Sequence, residues 1–180
     1  MEAILTTKRL LLRPFEPQDA AACLCWLSDP RVMDAVHQPV ISSLEEAEQF
    51  IAARLPYYSR AHFYDWAIVL KENGRAIGEC NASVSLPASC ADAGYAISYD
   101  CWNRGYMTEA LKAVLPFLRK QGFMHIVAAC HPSALTSAAV LRKSGMKQMN
   151  EVPSLIREME EEPDLIFYEY SGDPGSRKER

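Results

Sequence analysis

"AGYAISYDCWNRGYMTEALKAVL", residues 93–115, decides how this 180-residue chain is read. Residues 93–99 read as a strand. From there on, Met107, Leu111, Val114, Leu115 and Leu118 recur three and four apart, which gives a helix with one buried stripe. Pro116 predicts a kink within it. Between the two elements stands Arg104-Gly105. Where a strand turns straight into a helix, the first backbone N–H groups lack intrahelical partners, and the helix dipole adds roughly half a positive charge. Gly105 lets a phosphate approach the backbone, Arg104 supplies a cation, and the Thr108 hydroxyl can donate a hydrogen bond. The residues alone leave a second reading open. In it Arg104 is solvated, Gly105 only turns the chain, and Thr108 with Glu109 favours the first helical turn. The turn is neither a Gly-Lys-Ser/Thr phosphate loop nor a Gly-x-Gly-x-x-Gly dinucleotide loop.

Outward from this stretch, "HIVAAC" (125–130) is an uninterrupted apolar run that suits a strand buried on both faces in parallel pairing. "SALTSAAVLRKSG" follows as a helix, with Ser133 as its cap and Gly145 as its terminator. Strand, helix, strand, helix over 93–145 implies a right-handed crossover onto one sheet. Upstream, 64–86 holds two β-rich runs joined at Asn73-Gly74, a hairpin signal. "SSLEE" (42–46) offers two overlapping capping boxes, Ser42 with Glu45 and Ser43 with Glu46, for a helix ending near Pro56. Residues 4–13 read as a first strand, "EPQDAAACLCWLSDP" as a helix stopping before Pro30, and 164–170 as a last strand.

Length points to one domain, residues 1–171, with a polar tail at 172–180 that is expected to be flexible. Hydrophobic residues make up 49% and charged residues 23%, a globular balance. No stretch reaches the ~18 apolar residues of a membrane helix and no signal peptide is evident, so a cytoplasmic protein is expected, with no membrane partner. A net charge of -4 argues against a general nucleic-acid binder. The six cysteines form no Cys-x-x-Cys pair and no histidine falls at zinc-finger spacing. They read as reduced, partly buried thiols, and no metal site is expected. None of His37, His62, His125 and His131 is given a role.

The opening stretch, with "SAAVLRKSGM" (137–146) after it, resembles the acetyl-CoA-binding half of the GNAT superfamily of N-acetyltransferases. "LTTKRLLLRPFEPQDA" (5–20) resembles the first strand and helix of its ribosomal-protein (RimJ/RimL-like) branch. The resemblance spans most of residues 5–150. It implies an α+β fold, a GNAT-like twisted mixed sheet of six to seven strands flanked by about four helices, with strands four and five splayed. The pantetheine arm of acetyl-CoA would enter the gap, and its pyrophosphate would sit on the turn ending at Thr108. The family motif Gln/Arg-x-x-Gly-x-Gly/Ala falls on Trp102 to Met107 and keeps only Gly105; Met107 stands where a small residue is usual. In the later helix, Asn-x-x-Ser-x-x-Val-Leu-x-Lys-x-Gly falls on Ala134, Ser137, Val140, Leu141, Lys143 and Gly145, with Ala134 in place of asparagine. Cofactor contacts implied by the resemblance are Ile97, Ser98, Tyr99, Arg104, Gly105, Tyr106, Met107, Thr108 and Ser137.

Transfer of an acetyl group to an amine needs a base for the ammonium, support for the oxyanion and a proton for the thiolate. The resemblance puts Asp92 first as base and Glu79 second; either could equally be a solvated strand-edge carboxylate. It assigns the oxyanion to the N–H of Ile97 or Ser98, freed by a bulge in the fourth strand. The tyrosine that many members use as acid is replaced by Leu141, which leaves Ser137 as a candidate donor, or simply as a small packing residue. An α-amine of pKa near 7.8 is about one-tenth neutral at pH 7 and a lysine near 10.4 only ~0.04%, a ratio of order 300. A site without an assured strong base therefore leans toward a protein N-terminus. The alternatives are a small amine such as a polyamine or aminoglycoside, or a non-catalytic acyl-CoA-binding regulatory domain. A monomer or homodimer is expected. Tyr57, Tyr58, Phe63, Tyr64 and Trp66 surround the expected acceptor pocket and read mainly as packing.

Overall fold

The computed structural model of the chain describes residues 4–158 and 164–172. The tail expected at 172–180 falls, from 173 on, outside the described residues. Among the described residues, eight strands form one mixed sheet in the order β1-β2-β3-β4-β5-β6-β8-β7. They are β1 Leu5–Thr6, β2 Leu10–Arg13, β3 Tyr64–Leu70, β4 Ala76–Ser85, β5 Cys90–Ile97, β6 His125–Cys130, β7 Lys147–Gln148 and β8 Ile166–Glu169. Helices α1 Ala20–Leu27, α2 Pro30–Met33, α3 Leu44–Ala52, α4 Tyr106–Lys120, α5 Leu135–Lys143 and α6 Ser154–Arg157 connect them. The count exceeds the expected six to seven for two reasons. Residues 4–13 are not one strand but a tight hairpin, turned where Thr7 N–H donates to Leu10 O at 3.0 Å. The two-residue β7 carries no periodicity that a sequence could display.

Side chains of the central strands alternate between two cores. Trp66, Ile68, Ala91, Ala93 and Ile126 pack under α4 and α5 with Leu111, Val114 and Leu115. Ala67, Val69 and Ala96 face the opposite way, onto Trp26 of α1 and Ile51 of α3. Helix α3 starts on the second of its two possible boxes: the Ser43 hydroxyl accepts from Glu46 N–H at 3.2 Å while Glu46 reaches back. Helix α5 does not use Ser133 as its cap. Ala134 holds that place, and the Ser133 hydroxyl pairs with His131 Nδ1 at 2.6 Å. Helix α4 continues through Pro116 to Lys120.

The feature that positions the site is the divergence of β5 from β6. Their parallel pairing covers only Cys90↔His125, Ala91↔Ile126 and Asp92↔Val127. Beyond Asp92, β5 stays bonded to β4 alone, in unbroken register from Ser85↔Cys90 to Gly78↔Ile97. The bulge expected in this strand is instead on its neighbour, where Ile68 faces Gly78 and Val69 faces Ala76, leaving Ile77 as the extra residue. Gly78 permits the close approach of β4 to β5, since a Cβ there would stand 2.3 Å from Ala96 O.

Candidate functional site

Two cavities open into the gap between β5 and α5. The first, of about 840 Å³, is walled by Arg54, Glu79, Asn81, His37 and His131 among others. The second, of about 510 Å³, runs from Ile97 to the start of α4 and across to Val140 and Lys143. Both are lined by Ala35, Val36, Tyr95, Ala96, Ala134 and Ser137, so they meet at that point.

The second cavity begins at the turn that the sequence singled out. Gly105 takes φ +75°, a left-handed conformation natural to glycine, and its carbonyl accepts the first helical bond from Glu109 at 3.0 Å. The N–H groups of Tyr106, Met107 and Thr108 therefore have no partner within the helix. Their position is set by the β1–β2 hairpin. Glu109 accepts from Thr7 Oγ1 at 2.6 Å, Arg9 N–H at 2.8 Å and Arg9 Nε at 2.6 Å. Arg9 also donates to Arg104 O at 3.0 Å and covers the Tyr106 ring at 4.2 Å. Burial pushes the Glu109 carboxyl up, but the bonds from Thr7 and Arg9 outweigh it and hold it below the usual carboxylate range. Met107 turns into the core with 4% exposure while still edging the cavity, so its length does not fill the space before the α4 N-terminus.

Of the expected cofactor contacts, Ile97, Gly105, Tyr106, Met107, Thr108 and Ser137 line this cavity; Ser98, Tyr99 and Arg104 do not. Ser98 is corrected as an oxyanion donor, because its N–H is spent on Ile77 O at 2.8 Å. Tyr99 lies instead beneath the Arg31 guanidinium, 3.6 Å from its centre. The same Ser98 bond fixes the alternation. Ile77 and Ser98 are a hydrogen-bonded pair, so the next pair, Gly78 and Ile97, is not, and the Ile97 N–H points away from β4 toward the gap. The Ile97 carbonyl is taken by Trp102 Nε1 at 2.8 Å, which accounts for tryptophan at a position usually polar.

At the junction, Tyr95 Oη and Ser137 Oγ are 2.7 Å apart. Burial pushes the Tyr95 phenol well up, and the Ser137 bond only partly offsets it, so the pair is neutral. Tyr95 was not singled out from sequence, although period-2 alternation from Ile97 would put both on one face. Leu141 is fully buried in the core beneath α5.

The two carboxylates part company. Asp92 lies in the paired end of β5, opposite Ser83 and Val127, and is absent from both cavity walls. Glu79 lines the first cavity, its side chain 15% exposed. Its Oε2 is 3.5 Å from Arg54 Nη2. Burial pushes the Glu79 carboxyl up to about 7, opposed by Arg54 and reinforced by Asp65. The aromatic group at 57–66 is packing: Tyr57 and Tyr58 contact Phe63, Tyr64 stacks on Trp66, and none lines either cavity. Five cysteines are buried, Cys25 is exposed, and all six are free. Among the described residues no group of three His, Cys, Asp or Glu could hold a metal ion, and no helix is long and apolar enough to cross a membrane.

Comparison with known proteins agrees with this geometry. Residues 9–147 match the family described as Acetyltransferase (GNAT) domain. An uncharacterized N-acetyltransferase of Bacillus subtilis, YnaD, is 28% identical over 145 residues, covering 80% of this chain and 82% of that protein. A GNAT-family acetyltransferase from Bacillus anthracis superposes with a TM-score of 0.76 at 23% identity, over 93% of this chain and 97% of the other. RimL, described as a ribosomal L7/L12 alpha-N-protein acetyltransferase and solved with coenzyme A, gives 0.72 at 16% identity, over 93% and 97%. At these identities the structural likenesses speak to the fold.

Proposed function

The chain belongs to the GNAT acetyltransferase family, and from that premise we propose that this acetyl-CoA-dependent enzyme acetylates the α-amine of a protein N-terminus, as a RimJ/RimL-like member. The observation that carries the proposal is the meeting of two cavities at Tyr95 and Ser137, one reaching the α4 N-terminus and the other holding Glu79.

The residues present fit coenzyme A. The unpartnered N–H groups of Tyr106, Met107 and Thr108 suit a diphosphate, and Lys143 adds positive charge to the same cavity. When bound, acetyl-CoA supplies the activated acyl group. Glu79 accepts the proton of the acceptor ammonium, directly or through a water. The Ile97 N–H, aimed into the gap, stabilises the oxygen on which negative charge develops. The Tyr95–Ser137 hydroxyl pair returns a proton to the departing sulfur.

The choice of acceptor follows from magnitude. With Glu79 near 7, taking a proton from an α-ammonium near 7.8 is uphill by about 1 kcal/mol, and from a lysine near 10.4 by about 4.6 kcal/mol. The site suits the weaker base. Release of free CoA thiol tests this across N-terminal peptides, lysine side chains, polyamines and aminoglycosides. Peptides with a free α-amine should turn over fastest; faster turnover of a polyamine or aminoglycoside would overturn the acceptor assignment.

A further inference from the structure

Glu79 does not have Arg54 to itself. Arg54, just beyond α3, donates its Nε to Asp65 Oδ2 at 2.9 Å and Nη1 to Phe50 O at 2.9 Å, with its guanidinium 3.5 Å over the Phe50 ring. The 3.5 Å approach of Nη2 to Glu79 is what remains. Asp65 is on β3 directly opposite Asn81, so Glu79 is its diagonal neighbour on the same sheet face, about 7–8 Å away by strand geometry. The Asp65 side chain is 6% exposed; burial pushes its carboxyl up, while the Arg54 guanidinium and the Trp66 backbone N–H pull it down. A second carboxylate buried next to the Arg54–Glu79 contact is costly, so its presence there wants a reason.

We infer that Asp65 is a positioning residue for Glu79: by taking the short edge of the Arg54 guanidinium it leaves Glu79 only a long, shared contact, so that Glu79 stays a proton acceptor instead of a permanent ion-pair partner. The inference rests on the reading of Glu79 as the base. Two carboxylates and one guanidinium carry one net negative charge when both acids are ionised, and a proton on Glu79 neutralises the set. The other titratable groups that feel Glu79 are Cys23 of α1, Cys80 of β4 and Tyr58, all kept neutral by burial, which pushes both thiols and the phenol up. His37 and His131 stand elsewhere in the same cavity wall. A purely structural Asp65 would anchor Arg54 and leave the titration of Glu79 untouched.

The test is Asp65→Asn, read by carboxyl-carbon NMR titration of Glu79 and by the pH profile of kcat/KM. Neutralising Asp65 hands the whole cation to Glu79, so its midpoint should fall by about one pH unit or more. At pH 5 the ionised fraction then rises about ninefold, while a weaker base lowers the plateau above pH 8. Activity thus moves up on the acid side and down on the alkaline side, whereas a packing defect lowers both. An unmoved Glu79 midpoint in folded Asp65→Asn protein overturns the inference. A moved midpoint that the rate profile of neither protein follows upholds the division of charge and removes Glu79 as base. Should the variant not fold, the unmodified enzyme decides. Its Asp65 carboxyl signal should shift at the Glu79 midpoint, and a flat Asp65 signal there overturns the inference.

Discussion

Replacing Glu79 by glutamine should make this protein a poorer enzyme and a more stable fold, and the two effects have one source. The folded state holds the Glu79 proton up to about pH 7, whereas the unfolded chain releases it near 4.5. Between those values the folded state binds more protons than the unfolded one, so stability falls as pH rises through the window. A displacement of 2.5 units corresponds to about 3 kcal/mol at pH 8 and only about 1 kcal/mol at pH 5. Glutamine keeps the shape and the contact to Arg54 but carries no charge to desolvate. Glu79→Gln should therefore melt roughly 6–12 °C above the parent at pH 8, with a much smaller gain at pH 5. Acetyl transfer at pH 7 should drop about 100-fold or more through loss of the base. Raising pH from 7 to 9 should restore about sevenfold of it, as the neutral fraction of an α-amine climbs from about 14% to about 94%. Paired melting curves and CoA-thiol release over pH 5–9 give both readings. Equal melting shifts at pH 5 and pH 8, or an undiminished rate, would refute the reasoning.

Three further substitutions probe the other parts of the site. Gly105→Ala forces a side chain into φ +75°, at about 1–2 kcal/mol, so melting should fall by roughly 2–8 °C and calorimetric affinity for coenzyme A by up to about tenfold; no change in either would remove the turn from the phosphate seat. Tyr95→Phe, which takes away the hydroxyl bonded to Ser137, should lower kcat about tenfold or more with affinity for coenzyme A retained. Glu109→Gln weakens three bonds that fix the start of α4, worth about 1–3 kcal/mol at pH 7. Because the folded state lowers the Glu109 carboxyl, that stability is present above the ordinary carboxylate range, and the deficit of the variant in urea unfolding should close as pH falls through the depressed value.

Much of the fold could be read along the chain because its signals are local. Asn73-Gly74 turns β3 into β4, "HIVAAC" is β6 from end to end, and Ser43 with Glu46 opens α3. Each depends on residues within a few positions of one another. The turn at Gly105 was legible for the same reason, since an unpaired helix start after a strand is a local fact. The break of residues 4–13 into β1 and β2 was not. Thr7 and Arg9 at that turn are bonded to Glu109, a hundred residues away, and nothing in "LTTKRLLLR" announces that partner.

The cavity wall shows the same divide more sharply. Sequence by itself determined which carboxylates were available, and the family resemblance put Asp92 before Glu79. Only the tertiary structure sets them in different surroundings, because those depend on where β6 leaves β5. Asp92 falls within the paired end and Glu79 reaches the opened gap. Likewise Asp65, Arg54 and Glu79 come from β3, the segment after α3 and β4, and Tyr95 meets Ser137 across a crossover. Periodicity and turn chemistry are written in neighbours. The convergence of side chains is set by register and by the twist that splays two strands, and both are properties of the assembled sheet.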